Sequence, residues 1–133
     1  MLLAIVSAVT LTACATSPVP TDQAKPTQTI LDESVTTPKT GAGTLIIKRD
    51  AGMVGSACSI RVFVDGLPFA ELAAGERVTA YLPPAEYIVG ARSTGVCGGG
   101  DSEAAVTLKA KQTRVYRVSI DQGMAINIGP TAF

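Results

Sequence analysis

Apolar and polar residues alternate in short runs between residues 43 and 133, and these runs are rich in Val, Ile, Thr and Tyr. Glycine, proline or aspartate interrupts them about every eight to twelve residues, as in all-β sandwiches and barrels. Because a period of two is typical of strands that bury one face, the pattern predicts a small antiparallel β-sandwich of about 7–8 strands. The predicted strands are 44–49, 58–65, 68–73, 76–82, 86–92, 102–109, 113–120 and 124–128.

One face of these strands is apolar, and we expect it to form the core. Asp65-Gly66 fits a tight hairpin with positive φ at both residues, and Pro83-Pro84 cannot continue a central strand. The predicted core residues are Leu45, Ile47, Cys58, Ile60, Val62, Val64, Val78, Ala80, Leu82, Ala104, Val106, Leu108, Tyr116, Val118, Ile120, Ile126 and Ile128.

The first thirteen residues are apolar or small, carry no charge and lead into Leu11-Thr12-Ala13-Cys14. This run is shorter than the roughly 20 residues that a membrane-spanning helix needs, and it fits the apolar region of an export signal. The tetrapeptide resembles the lipobox of bacterial lipoproteins, which implies that Cys14 receives diacylglycerol and becomes the new N-terminus. The alternative is a buried element of the fold with Cys14 as an ordinary thiol. No Lys or Arg precedes the run, so an upstream start stays open.

Half of the residues from Ala15 to Thr40 are Pro, Thr or Ser, and no apolar periodicity is sustained there. Such a segment buries too little apolar surface to offset its chain entropy, so we expect a disordered or polyproline-like tether. As a flexible coil it would average roughly 30 Å from end to end. The predicted organisation is a signal peptide over 1–13, a lipid-anchored linker over 14–42 and a β-sandwich domain over 43–133.

Two cysteines remain once Cys14 is assigned to the lipid, and an exported protein meets an oxidising compartment. We therefore predict a Cys58–Cys97 disulfide; the alternative of a redox-active pair lacks a C-x-x-C motif. If each turn reverses the chain, the loops 50–57 and 93–101 share one end of the sandwich. The tether and the C-terminus are then expected at the opposite end, so that these loops face away from the membrane.

The chain has 11 basic and 11 acidic residues and contains neither histidine nor tryptophan. A neutral chain has no electrostatic attraction for nucleic acid, and the lack of histidine excludes Ser-His-Asp, Cys-His and His-ligated zinc sites. We expect no enzyme activity, no cofactor and no metal. Asp101 and Glu103 lie close enough in sequence for two carboxylates to converge, although the favoured explanation is a solvated strand start.

Large side chains also occur on the face opposite the predicted core. They are Phe63, Tyr81 and Val115, and arginines lie near them in the sequence. Aromatic residues and arginine are enriched at binding interfaces, so this face is predicted to contact an envelope partner. The alternative is that loops or the chain ends cover these residues.

Three stretches carry a further resemblance: V-F-V-D-G-L-P at 62–68, Y-L-P-P-A-E-Y at 81–87 and L-K-A-K-Q-T-R-V-Y-R-V at 108–118. They are similar to the PEGA-like domains and related β-sandwich families of bacterial lipoproteins, although the Pro-Glu-Gly-Ala string itself is missing. The resemblance implies a surface or envelope binding module. Ala15 stands where an aspartate would retain a lipoprotein in the inner membrane, which favours the periplasmic face of the outer membrane in a Gram-negative cell. The partner of the module would be a protein or a cell-wall component. Two alternatives stay open: a periplasmic enzyme inhibitor that inserts the stapled loops, or an accessory subunit of a secretion or conjugation apparatus.

Overall fold

The computed structural model describes residues 16–133, so the predicted signal peptide and Cys14 lie outside the described residues. Ten strands and one short helix are found among these residues. They are β1 (Lys25–Pro26), β2 (Thr29–Ile30), α1 (Glu33–Thr36), β3 (Gly43–Arg49), β4 (Ile60–Val64), β5 (Leu67–Leu72), β6 (Glu76–Leu82), β7 (Ala85–Ser93), β8 (Asp101–Leu108), β9 (Thr113–Ile120) and β10 (Ile126–Pro130).

The strands form two five-stranded sheets that face each other across one apolar core. The first sheet has the order β1-β6-β3-β9-β10 and the second has the order β2-β5-β4-β7-β8. The prediction of an all-β sandwich is confirmed, and β3 to β10 match the eight predicted strands to within two residues at each end. Most pairs are antiparallel, but β3 and β9 are parallel neighbours, as are β1 and β6.

The core contains nearly all of the predicted residues. Cys58 and Ala104 are the exceptions, because both are only partly buried. Strands β5 and β7 add core residues that the alternation did not reveal. The additional buried side chains are Phe69, Ala70, Leu72, Val89 and Ala91.

The irregular burial along β5 has a local cause. Val62 pairs with Ala70 whereas Phe63 pairs with Pro68, so Phe69 is an extra residue at a β-bulge. A bulge breaks the alternation of side chains along a strand. As a result Phe69 and Ala70 are both buried, which a strict period of two does not predict.

The β4–β5 hairpin has the predicted turn. Asp65 and Gly66 have φ angles of 48° and 77°, which two-residue hairpins of this type require at both central positions. Asp65 also accepts a hydrogen bond from the backbone of Ile88, which ties the turn to β7.

The expectation of a disordered tether is wrong for residues 16–42. Lys25 and Pro26 extend the edge of β6, whereas Thr29 and Ile30 pair with β5 in the other sheet. Exposed sheet edges present unpaired backbone groups, and covering them is a common way to prevent unwanted strand pairing. The segment is therefore ordered by backbone pairing rather than by an apolar stripe.

No helix within residues 16–133 is long and apolar enough to cross a membrane.

Candidate functional site

A disulfide bond joins two loops at one end of the sandwich. Cys58 and Cys97 are bonded with their Cα atoms 6.2 Å apart, which confirms the predicted pair. Cys58 precedes β4, and Cys97 lies between β7 and β8. We call this end, formed by loops 50–59, 94–100 and 121–125, the disulfide end.

Arg49 holds the disulfide end from inside. Its side chain shares the inward face of β3 with Leu45 and Ile47, and the residue is only 2% exposed. The guanidinium donates hydrogen bonds to three backbone carbonyls, at 2.7 Å to Cys58, 2.9 Å to Leu72 and 2.8 Å to Gly55. Burial lowers the pKa of Arg49. This cation therefore fastens the 50–59 loop to the end of β5.

The next residue, Asp50, anchors the N-terminal segment. Its side chain is 1% exposed and forms a bidentate ion pair with Arg117, with both nitrogen–oxygen distances at 2.7 Å. Hydrogen bonding to Asp50 raises the pKa of Arg117. The hydroxyl of Thr16 donates to the second oxygen of Asp50 at 2.8 Å, and the backbone of Ile120 donates to that hydroxyl at 3.3 Å.

Backbone pairing continues this attachment. Ser17 and Ala51 exchange two hydrogen bonds of 2.9 and 3.0 Å across an isolated antiparallel bridge. Thr16 therefore lies at the disulfide end, next to the start of the 50–59 loop. From there the segment crosses the first sheet and reaches β3 at the opposite end of the sandwich.

This placement corrects the predicted orientation of the loops. The chain enters β3 at Gly43 from the end opposite the disulfide, as the counting of turns predicted. However, residues 16–42 begin at the disulfide end and lead to the opposite end, where β3 begins. Thr16 therefore lies beside the stapled loops and not opposite them. We had expected the tether to lead directly away from the domain at the end where β3 begins.

The chain ends also cover the outer face of the first sheet. Lys48 is buried there and donates hydrogen bonds to the main-chain oxygens of Val19, at 2.6 Å, and of Phe133. Its ammonium nitrogen lies 5.1 Å from the centre of the Phe133 ring. Burial lowers the pKa of Lys48. Arg77, on the same face, donates to the carbonyl of Ala24 at 2.9 Å.

Two glycines allow the three loops of the disulfide end to pack together. Gly99 has a φ of 96°, and a Cβ atom there would lie 2.2 Å from the carbonyl oxygen of Met124. At Gly55, with a φ of 67°, a Cβ atom would lie 2.8 Å from the side chain of Ile120. Any larger residue at Gly99 would displace backbone, because the nearest neighbour is a carbonyl group.

The tips of the two disulfide-linked loops are apolar and exposed. Met53 is 87% exposed and Val96 is 100% exposed. The sequence contains no charged residue between 51 and 59 or between 93 and 100. The loops thus present uncharged tips beside Thr16.

The predicted partner-binding residues do not form one surface. Phe63 lies on the outer face of the second sheet, whereas Tyr81 and Val115 lie on the outer face of the first sheet, on strands either side of β3. For Tyr81 and Val115 we favour the alternative that the chain ends cover them, because the N-terminal segment and Phe133 lie over the first sheet. The sequence could not distinguish the two outer faces, since alternation does not assign a strand to a sheet.

A shallow depression surrounds Phe63 on the outer face of the second sheet. It has a volume of about 150 Å³ and opens where Gly90 has no side chain. Arg92 lies over the Phe63 ring at 5.4 Å and forms a bidentate ion pair with Asp101 at 2.6 and 2.7 Å. Ile88, on the rim, is 42% exposed. The depression therefore combines an aromatic floor with one ion pair.

Asp101 is paired with an arginine. Arg92 donates a hydrogen bond to each of its two oxygens, and this hydrogen bonding lowers the pKa of Asp101. Within residues 16–133, no group of three or more His, Cys, Asp or Glu side chains is placed to hold a metal ion.

The sequence matches no protein-family model, and a search of curated proteins found no significant match. The resemblances to bacterial lipoproteins and to PEGA-like domains therefore remain predictions.

Proposed function

We propose that this protein is a non-enzymatic lipoprotein of the bacterial cell envelope, anchored through diacylglycerol on Cys14, whose β-sandwich binds a protein or cell-wall partner. The observation that carries the proposal is the uncharged apolar run that ends in the lipobox-like Leu11-Thr12-Ala13-Cys14. The attachment of Thr16 to Asp50 adds the position of the proposed anchor, because it fixes the segment just after Cys14 to the sandwich.

The geometry also sets the distance between the sandwich and the membrane. Only Ala15 separates Cys14 from Thr16, and two residues of extended chain span at most about 7 Å. A lipid on Cys14 would therefore hold the disulfide end at the membrane surface, in place of a tether that averages roughly 30 Å. An inhibitor that inserts the stapled loops into an enzyme needs those loops to point away from the membrane, so that alternative is not proposed.

Replacing Cys14 with alanine is expected to abolish lipid attachment, because the thiol is the acceptor of the diacylglycerol. The measurement is metabolic labelling with a clickable fatty acid, combined with separation of membrane and soluble fractions. The wild-type protein is expected to carry the label and to sediment with membranes, whereas Cys14→Ala carries none.

The matched control is the double variant Cys58→Ala/Cys97→Ala, which keeps Cys14 and is expected to remain labelled. Equal labelling of the wild type and of Cys14→Ala would contradict the proposed anchor. Labelling decides the result even if an uncleaved signal peptide keeps the variant in the membrane fraction.

The outer face of the second sheet is the surface that we assign to the partner. The chain ends lie over the first sheet, whereas Phe63 and Ile88 are at least partly exposed on the second. An aromatic ring with an arginine stacked on it is a combination enriched in binding hot spots. A binding role for this face agrees with the proposed module, and it needs no catalytic group.

Phe63→Ala is expected to weaken partner capture about tenfold or more, as truncation of a hot-spot aromatic does. The partner is first identified by cross-linking in intact cells and mass spectrometry, and its affinity for each variant is then measured. Tyr81→Ala is the matched control, because Tyr81 lies on the opposite outer face and is expected to leave capture unchanged. Unchanged capture by Phe63→Ala, or equal losses in both folded variants, would reject this surface.

A further inference from the structure

We infer that the disulfide end is itself a membrane-contacting surface, with Met53 and Val96 entering the interfacial region of the bilayer that carries the lipid anchor. This inference rests on the proposed lipidation of Cys14. The partner it names is a lipid surface, and the residues that touch it belong to the two loops joined by the disulfide.

The 50–59 loop is attached to the segment that directly follows the proposed anchor. Ser17 pairs with Ala51, which lies only two residues before Met53 in the chain. The hydroxyl of Thr16 bonds to Asp50 at the start of the same loop. Two residues of extended chain reach at most about 7 Å, so the Cα atom of a lipidated Cys14 would lie within that distance of Thr16 and its acyl chains would start close to these loops.

The exposed parts of the two loops joined by the disulfide carry no charged side chain. No charged residue occurs in 51–59 or in 93–100, so placing these loops among lipid headgroups desolvates no ionised side chain of theirs. The exposed charged residues nearest these loops are Arg92 and Asp101, which flank the 93–100 loop and form an ion pair at 2.6 Å, and Asp121. The carboxylate of Asp121 accepts a hydrogen bond from the backbone of Ala125 at 3.0 Å. Asp121 belongs to the third loop, 121–125, and none of the three lies on an apolar tip.

The opposite end of the sandwich has a different character. Its turns carry exposed charged residues, namely Asp65, Glu86, Lys109 and Lys111. Charged turns favour water, whereas uncharged turns with apolar tips favour an interface between water and hydrocarbon. The two ends therefore differ in the direction expected if only the disulfide end meets the membrane.

The disulfide bond holds together the loops that carry the two apolar tips. The Cys58–Cys97 bond links the loop of Met53 to the loop of Val96, and Arg49 fixes the first of these loops to the carbonyl of Leu72. Scattered exposed apolar residues are normal on soluble proteins. Here two of them lie on cross-linked loops beside the proposed anchor, so they can meet one lipid surface together.

The chain contains no tryptophan, so single tryptophans can report on each position. The experiment uses the full-length lipidated protein with Met53→Trp, Val96→Trp or Leu67→Trp, reconstituted into phosphatidylethanolamine–phosphatidylglycerol vesicles. Leu67 is the matched control, because it is an apolar residue, 71% exposed, in the hairpin at the opposite end. Fluorescence is compared in vesicles with ordinary and with brominated acyl chains.

We expect lipidated M53W and V96W in vesicles to emit at shorter wavelength than the same variants in detergent-free buffer. In the buffer samples the additional substitution Cys14→Ala removes the lipid. We also expect both to lose emission in brominated vesicles, with L67W unaffected. Flotation of each variant with the vesicles reports the anchor separately. Flotation with no more quenching in M53W and V96W than in L67W would overturn the inference and leave the anchor intact. Failure of the protein to acquire lipid or to float would overturn the proposed function itself.

Discussion

Arg49→Met is expected to lower the free energy of unfolding by about 3 kcal/mol, because three carbonyls, one buried and two partly buried, lose a charged donor at a cost of about 1 kcal/mol each. The carbonyls belong to Gly55, Cys58 and Leu72, and each accepts a hydrogen bond from the Arg49 guanidinium. Methionine has a similar length and fills the apolar space, so the loss reports hydrogen bonding more than cavity formation. The measurement is urea unfolding of the oxidised protein.

The matched control is the same substitution at Arg61. That side chain is 43% exposed and pairs with Glu71 on the outer face of the second sheet, at 2.6 Å. A surface ion pair contributes only about 0–1 kcal/mol, so Arg61→Met is expected to change stability little. If Arg49→Met lowered the free energy of unfolding no more than Arg61→Met does, the three carbonyls would be finding other donors. Arg49 would then not be what holds the 50–59 loop to β5.

The strands were predictable because the sandwich buries one face of each. Alternation predicted β3 to β10 to within two residues and identified most of the core, although it missed Val89 and Ala91 on β7. It failed at Phe69 and Ala70, where a bulge buries two consecutive residues. The position of a bulge depends on how the partner strand pairs, and a single strand's pattern does not contain that information.

The order of residues 16–42 was not predictable from composition. The segment is held by specific polar contacts, such as Thr16 to Asp50 and Val19 to Lys48, whose partners are 34 and 29 residues apart in the chain. Composition measures how much apolar surface a segment can bury, and by that measure the segment resembles a disordered chain. Pairing with sheet edges supplies the missing stabilisation, and it becomes visible only once the edges are known.

A signal for the candidate site was nevertheless present in β3. Leu45, Ile47 and Arg49 share one face of the strand by alternation, which places an arginine on the core side. A charge on the core side must be paired or bonded to carbonyls, so the run Lys48-Arg49-Asp50 pointed to a polar cluster at the end of this strand. Its partners could not be deduced, since two of the three carbonyls bound by Arg49 belong to irregular loop backbone.

Removing the disulfide by Cys58→Ala and Cys97→Ala is expected to destabilise the protein by up to about 4 kcal/mol. In the chain-entropy model the effect comes from restriction of the unfolded chain, and it grows with the 39-residue separation between the cysteines. The closed loop contains β4, β5, β6 and β7, which are strands of both sheets. The cross-link therefore limits how far the residues of these four strands can separate from one another in the unfolded chain. Urea unfolding of the oxidised wild type and the double variant measures the difference.

Two controls separate this effect from the loss of two side chains. Reduced wild-type protein keeps both cysteines and is expected to be about as unstable as the double variant, because in each the chain is open. Cys14→Ala keeps the bond and is expected to unfold like the oxidised wild type. If reduction left the urea midpoint unchanged, the cross-link would add no stability. The contacts of Gly99 with Met124 and of Gly55 with Ile120 would then be the stronger candidate, because they hold both loops against the end of β9 and the 121–125 loop without the bond.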